Sequence, residues 1–191
     1  MKTFKVAVIV GSLRKASFTR RAARMMMSLA SDKLELEEID IGQLPMYNQD
    51  LDDFGTPPDS WTEFREKIKG FDAVLFVTPE YNRSVPAVIK NAIDVGSRPY
   101  GQNVWDGKPG AVVSVSPGMI GGFAANHHLR QALVFVNVIT MSQPEAYIHN
   151  AAKLFSSADK LSDPDTREFL TGFMATFADW VEKVVSAQEQ K

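Results

Sequence analysis

The segment GSLRKASFT at residues 11–19 combines hydroxyl side chains with positive charge. A terminal phosphate exposes three oxygens, which hydroxyls, backbone N–H groups and a fork-shaped guanidinium can surround. A helix that begins near Ser17 adds the free N–H groups of its first turn. The pattern is therefore typical of a site for a phosphate monoester. The hydroxyls are those of Ser12, Ser17 and Thr19, and the cations are Arg14 and Lys15.

The same segment also fits an ordinary helix start, with Ser17 as the N-cap and both cations on a solvated turn. It does not match the clamp of dinucleotide-binding proteins, because Leu13 stands where the second glycine of G-x-G-x-x-G belongs. Nor does it match a triphosphate-binding P-loop, because Ala16 occupies the second glycine position of that motif. A single terminal phosphate remains the favoured ligand.

Two later segments are suited to a flat ring. The tetrapeptide PEYN at residues 79–82 predicts a rigid backbone turn whose N–H groups can address the polar edge of a heteroaromatic ligand. The segment SPGMIGG at residues 116–122 has three glycines, which let a backbone approach a planar ligand closely. By itself, each segment is also compatible with a plain turn.

Apolar runs precede these three segments. Residues 6–10, 73–77 and 111–115 are almost continuously apolar, which is typical of strands buried on both faces of a parallel sheet. Residues 34–39 alternate more and predict an outer strand, and residues 137–141 predict a fifth strand.

Helical periodicity lies between the strands. It predicts helices from Phe18 to Leu29 and over residues 61–70, 86–96 and 120–135. A last helix carries an aromatic stripe over residues 170–184, which we expect in the core or at a subunit contact. This order predicts one α/β domain over residues 1–191. We expect a doubly wound, five-stranded parallel sheet of order 2-1-3-4-5, with helices on both faces.

Such a sheet binds ligands beyond the carboxyl ends of its strands, next to strands one and three. All three polar segments should therefore meet at one edge. A phosphate would be held after strand one, and a flat ring would lie between the ends of strands three and four. Flavin mononucleotide (FMN) has that shape.

Composition removes several other classes of protein. The chain of 191 residues has no cysteine, which excludes disulfide scaffolds, thiolate metal sites and cysteine nucleophiles, so redox chemistry needs a bound cofactor. With 21 basic and 23 acidic residues, no charge excess favours nucleic acid or an anionic membrane as partner. No apolar stretch approaches the ~18 residues of a membrane span, and we expect a cytoplasmic protein. His127 and His128 are adjacent and would point in different directions, so no metal site is expected.

The sequence resembles the NADPH-dependent FMN reductase family, in particular its bacterial quinone and chromate reductase branch. The resemblance is carried by GSLRKASF at residues 11–18, by TPEYNRSVPAVIKNAIDVGSRPYG at residues 78–101, by VSPGMIGG at residues 115–122 and by HLRQ at residues 128–131. It also implies a flavodoxin-like fold.

The resemblance implies a role for particular residues. Two departures are Ala16, where a glycine is common, and Thr19, where many relatives have asparagine. A threonine hydroxyl still donates to phosphate. The implied phosphate ligands are Ser12, Arg14, Ser17 and Thr19 with the backbone of Phe18; the isoalloxazine would be held by Pro79, Glu80, Tyr81 and Asn82, and its other side would be lined by Ser116 and Gly118.

The resemblance further implies the reaction. NADPH or NADH would pass a hydride to bound FMN, and an acceptor would then take two electrons; quinones are the main candidates, followed by chromate, azo compounds and free flavin. The flavin carries the chemistry, so no catalytic side chain is needed. Family members are typically homodimers or homotetramers, which we also expect here.

Two other functions share this fold. A flavodoxin-type electron carrier would bind FMN without turning over, but such carriers are usually strongly acidic and this chain has a net charge of −2. A phosphoryl-receiver module needs an acidic cluster after strands one and three, where this chain has Gly11 and Thr78.

Two connections are longer than usual, at residues 42–60 and 97–109. Their aromatic residues, which include Tyr47, Tyr100 and Trp105, would either stack on a flat ligand or pack against a partner subunit. The sequence leaves both interpretations open.

Overall fold

The computed structural model describes residues 2–155 and 161–190. Over these ranges the chain forms six strands and seven helices in an α/β arrangement. The strands are β1 (Phe4–Val10), β2 (Leu34–Ile39), β3 (Ala73–Thr78), β4 (Pro109–Val115), β5 (Ile139–Thr140) and β6 (Ala146–Ile148). The helices are α1 (Phe18–Leu29), α2 (Gln49–Asp53), α3 (Asp59–Lys69), α4 (Ala87–Gly96), α5 (Phe123–Phe135), α6 (Ala151–Leu154) and α7 (Pro164–Glu189).

The sheet has the order β2-β1-β3-β4-β5 with parallel neighbours, which confirms the predicted topology. β1, β3 and β4 are central because their apolar runs are buried on both faces. Val10 pairs with Val77, and Thr78 pairs with Ser114. The three central strands therefore end at the same edge.

The predicted fifth strand is divided in two. Over residues 137–141 only Ile139 and Thr140 form a strand, which pairs with the start of β4. β6 pairs with the same edge of β4 further along the strand, opposite Val113–Val115. Asn137 has a left-handed φ of 58°, and Pro144 cannot donate a ladder hydrogen bond, so one continuous strand could not form here.

The start of one predicted helix needs correction, and the start of the last helix is now defined. α5 begins at Phe123 and not at Ile120, because Gly121 and Gly122 have left-handed φ values of 59° and 77°. α7 starts earlier than its aromatic stripe, where Asp163 caps the helix and Pro164 occupies its first turn. The short helices α2 and α6 were not predicted.

Two hydrophobic layers cover the sheet. One contains α1 and α7, with Met26, Phe173 and Phe177 buried against the central strands, so the C-terminal stripe belongs to the core. The other contains α3, α4 and α5, represented by Phe64 and Leu129. Among the helices of the described ranges, none is long and apolar enough to cross a membrane.

The two long connections pack on the protein's own core. Trp105 is fully buried, with its ring 5.9 Å from Phe64 and 5.7 Å from Phe76, so it is not available to a ligand or partner. In the other connection, Asp52 accepts two hydrogen bonds of 2.8 and 2.7 Å from Arg65 of α3. Tyr100, in contrast, is 92% exposed.

Candidate functional site

The loops after β1, β3 and β4 are neighbours at the carboxyl edge of the sheet, as predicted. The Gly11 N–H donates a 2.9 Å hydrogen bond to the Val77 carbonyl, which ties the start of the first loop to β3. A Cβ added to Gly11 would lie 2.5 Å from Ile89 Cδ1 and 3.0 Å from Pro79 Cδ. Glycine is thus needed where the first loop passes the second.

The first loop is built around the start of α1. Ser17 is its N-cap, and the Ser17 hydroxyl accepts a 3.2 Å hydrogen bond from the Arg20 N–H. The helix-start interpretation of Ser17 is therefore right, and it leaves the backbone N–H groups of Phe18 and Thr19 at the open end of the helix. Ser12 and Ser17 of the loop and Thr19 in the first turn of α1 are each only 3% exposed.

The first loop carries two exposed cations. Arg14 and Lys15 are exposed, and within the described ranges neither forms an ion pair. Arg20, one turn into α1, is instead paired with Glu38 at 2.7 Å. An exposed guanidinium beside a helix N-terminus and buried hydroxyls fits a dianionic phosphate.

The second loop contains a two-residue hairpin turn. Tyr81 and Ser84 exchange two backbone hydrogen bonds of 3.0 Å, and the residues between them have left-handed φ values of 51° at Asn82 and 64° at Arg83. Positive φ at both central positions is the geometry of a type I′ turn. The sequence predicted a turn over residues 79–82, and the turn lies two residues later, with Asn82 and Arg83 at its centre. Tyr81 is 46% exposed.

The Glu80 side chain turns away from that hairpin. Its Oε2 accepts a 3.1 Å hydrogen bond from the Ala125 N–H in the first turn of α5. Nearby, Ser84 Oγ lies 3.0 Å from His128 Nδ1 on the same helix. Nothing in the local sequence pattern points to these two contacts, which link segments about 45 residues apart.

The third loop is fixed by the chain that follows β6. The Ser116 hydroxyl accepts a 3.1 Å hydrogen bond from the Gly118 N–H and so closes a small turn. The Asn150 N–H donates to the Gly118 carbonyl at 3.2 Å, and the Ala151 N–H donates to the Ser116 carbonyl at 3.1 Å. Gly118 is exposed, with only Ser116 Oγ near its missing Cβ, so this stretch of backbone is open to a flat ligand.

The other two glycines of that loop serve the fold. A Cβ on Gly121 would lie 2.7 Å from the backbone carbon of Tyr147, and a Cβ on Gly122 would lie 3.1 Å from Ser114 Cβ. The sequence prediction that all three glycines let a ligand approach is therefore wrong for these two. They let other parts of the protein approach instead.

An aromatic cluster borders the third loop. The rings of Phe123 and His127 are 4.3 Å apart, and His127 Nε2 lies 2.9 Å from Tyr147 Oη. Burial, helped by the neighbouring Glu145 carboxylate, raises the pKa of Tyr147 to about 12. A cavity of about 710 Å³ extends from this cluster towards α7, and it lies beside the three loops rather than between them.

The chain is similar to known proteins over most of its length. The profile of the NADPH-dependent FMN reductase family matches residues 4–153. A quinone reductase of Pseudomonas putida is 57% identical over 180 residues, covering 94% of this chain and 96% of that protein. The structure of FerB, a flavoenzyme NAD(P)H:(acceptor) oxidoreductase from Paracoccus denitrificans, has a TM-score of 0.88 and 46% identity, covering 95% of this chain and 98% of FerB.

A more distant structure bears on the fold alone. A flavodoxin from Pseudomonas aeruginosa is 17% identical, with a TM-score of 0.56 over 93% of this chain and 99% of the flavodoxin. The fold is thus flavodoxin-like. With the family match spanning most of its length, the chain belongs to the NADPH-dependent FMN reductase family.

Proposed function

We propose that this chain is an FMN-dependent reductase that takes electrons from NADPH or NADH and delivers them in pairs to quinones. The observation that carries the proposal is the meeting of three loops at one sheet edge: an exposed guanidinium at Arg14 before the start of α1, a tight hairpin turn at Asn82 and Arg83, and an exposed glycine backbone at Gly118. Family membership and the name of the Pseudomonas putida relative support the same conclusion.

The first loop would hold the FMN phosphate. The hydroxyls of Ser12, Ser17 and Thr19 are buried along the loop, and the Phe18 N–H lies at the open end of α1. These neutral donors and the helix dipole favour a dianion, and the Arg14 guanidinium adds a charged, bidentate contact.

The second and third loops would hold the ring. Pro79 to Asn82 present a rigid backbone edge on one side, and Ser116 and Gly118 present the other. When bound, FMN supplies the two-electron chemistry between nicotinamide and acceptor. The protein's part is to fix the ring and to place N–H donors, such as that of Asn82, where negative charge develops.

We also propose that the active form is a homodimer or homotetramer. Three large apolar side chains on the two long connections are strongly exposed, namely Met46 at 70%, Phe54 at 77% and Tyr100 at 92%. Exposed apolar groups of this kind favour contact with a second copy. Trp105 belongs to the core and cannot contact a second copy. The expectation that the long connections contact a partner subunit therefore depends on Met46, Phe54 and Tyr100.

The proposal is tested by the visible spectrum of the purified protein and by its response to NADPH. We expect a bound flavin spectrum that bleaches under anaerobic NADPH and returns on addition of a quinone, with many turnovers in the steady state. A flavodoxin-type carrier would bind flavin but would not catalyse steady-state oxidation of NAD(P)H by quinone. A colourless protein that does not bind added FMN would contradict both.

A further inference from the structure

We propose that Glu80 is a positioning residue whose carboxylate joins the hairpin turn to the first turn of α5, and so fixes the spacing between the second and third loops. This inference rests on the proposed function, since the spacing matters because FMN would lie between those loops. It differs from the role that the sequence suggested, in which Glu80 itself holds the ring.

The start of α5 needs an acceptor that its own sequence does not supply. Its N-cap is Gly122, which has no side chain, and no acidic residue lies in the first turn. The first N–H groups of a helix require partners, and a carboxylate is the preferred one because of the helix dipole. The Glu80 carboxylate, 45 residues earlier in the chain, accepts from the third helical residue, Ala125, at 3.1 Å.

A second contact holds the other side of the hairpin. Ser84 Oγ lies 3.0 Å from His128 Nδ1, and His128 is three residues after Ala125, on the same face of α5. Glu80 precedes the turn and Ser84 follows it, so α5 holds the hairpin at both ends. A single contact would allow the turn to rotate about it, whereas two contacts on one helix face prevent this.

The Glu80 side chain also lies beside the third loop, through its Cβ. A Cβ on Gly122 would lie 3.6 Å from Glu80 Cβ, so the backbone at the end of the third loop packs directly on this side chain. The hairpin, the start of α5 and the end of the third loop therefore form one unit.

The test compares three variants in FMN-free protein and on FMN binding. Glu80→Ala removes the acceptor, Glu80→Asp shortens the side chain so that it cannot span the gap, and Glu80→Gln keeps an acceptor oxygen at the same reach. Glu66→Ala is the control, since Glu66 is an exposed carboxylate on α3 whose ion pair, within residues 2–155 and 161–190, is with Lys69 one turn along the same helix. Hydrogen exchange of peptides that cover residues 118–128 reports the helix start, and quenching of flavin fluorescence reports the FMN Kd.

We expect Glu80→Ala and Glu80→Asp to raise amide exchange at residues 123–126 by about tenfold, the size of a lost helix cap. Both should weaken FMN binding by a similar factor, whereas Glu80→Gln should restore most of both properties and Glu66→Ala should change neither. If Glu80→Ala does not fold, the contrast between Glu80→Asp and Glu80→Gln decides the question.

Two results would overturn the inference. One is unchanged exchange at the start of α5 in both the alanine and the aspartate variant. The other is weakened FMN binding with unchanged exchange, which would mean that Glu80 contacts the ring directly. Because exchange is measured without FMN, a wild-type protein that shows the expected protection but binds no flavin would refute the proposed function and not the contact between Glu80 and α5.

Discussion

The loop after β1 and the loops after β3 and β4 are held in place by different means. The first loop is tied to β3 at its start, where the Gly11 N–H donates to the Val77 carbonyl, but its helix cap comes from a neighbour in sequence. The Ser17 hydroxyl accepts from the Arg20 N–H three residues ahead, and Arg14 and Lys15 are exposed. The other two loops are fixed by contacts that join distant segments, such as Glu80 with Ala125. The comparison teaches that charge and hydroxyl chemistry can be placed by local sequence, whereas a slot for a rigid ring is placed by tertiary contacts.

The largest effect should come from Gly121→Ala. The added methyl would lie 2.7 Å from the Tyr147 backbone, at a residue with a φ of 59°. Strain and clash together should lower the free energy of unfolding by about 3–5 kcal/mol, measured by chemical denaturation of the FMN-free protein.

Gly55→Ala is the matched control, because Gly55 has a similar φ of 69° but no atom near its missing Cβ. We expect it to cost only about 1–2 kcal/mol, the price of the left-handed conformation. Equal losses in the two variants would show that the third loop does not depend on its contact with Tyr147.

The next effect concerns the first loop and should leave stability unchanged. Arg14→Ala removes an exposed cation that pairs with no acidic group of the described ranges, so the unfolding free energy should stay within about 0.5 kcal/mol. FMN binding, measured by titration of the FMN-free protein, should weaken by about 1.5–3 kcal/mol, the range for hydrogen bonds to charged groups. Lys15→Ala should weaken it less. An unchanged FMN Kd in Arg14→Ala would remove Arg14 from the phosphate site.

Ser17→Ala should affect both stability and binding. The loss of the cap that accepts from the Arg20 N–H should lower the unfolding free energy by about 1 kcal/mol. Ser17→Asp would supply an alternative cap and restore stability, but its negative charge would oppose a phosphate and keep FMN binding weak. If Ser17→Asp binds FMN as tightly as the wild type, the serine is a helix cap and nothing more.

Tyr81→Ala should reduce turnover more than stability. The backbone of Tyr81, and not its ring, makes the hairpin hydrogen bonds, and the side chain is 46% exposed. We expect kcat/KM to fall about threefold to tenfold, the value of one aromatic contact, with a change in unfolding free energy near 0.5 kcal/mol. Tyr81→Phe keeps the ring and should resemble the wild type. Loss of folding without a separate kinetic effect would assign the ring to the core.

The effect with the narrowest range is a pH dependence at the support of the third loop, since it appears only above pH 10. Burial and Glu145 raise the pKa of Tyr147 from its ordinary value of 10.0 to about 12. The folded state therefore holds the Tyr147 proton longer than the unfolded state, so this group's contribution is complete below pH 10 and is lost as pH rises towards 12. Tyr147→Phe should show a shallower loss of stability over that interval, and identical pH profiles would contradict the assignment.

Much of the fold could be predicted from the pattern of residues. The order of the sheet follows from three apolar runs that must be buried on both faces, and from the alternation of strands with helices. The divided edge strand could not be predicted, because β5 and β6 are too short to show a periodicity. Their positions depend on pairing with β4.

The candidate site could also be predicted only in part. Ser12, Ser17 and Thr19 lie in or beside the first loop and are each only 3% exposed, and their role as phosphate ligands stays a prediction. The two glycines that the sequence suggested for a ligand are instead used by Tyr147 and Ser114. Trp105, which was expected to contact a flat ligand or a partner subunit, is instead buried in the core. In a sequence, a glycine indicates that some group approaches the backbone closely, and an aromatic residue indicates a buried surface. Neither shows whether the contacting group is a ligand or another part of the protein.

By itself, the sequence determined the order of the elements, the edge at which the loops meet and the cap of α1, since these follow from periodicity and from residue types a few positions apart. The tertiary structure alone decided which groups hold the second and third loops. Those contacts join Glu80 to Ala125 and Gly118 to Asn150, across 45 and 32 residues. A contact over such a distance is made only when the packed sheet and helices have already brought both ends together, so no local pattern can encode it.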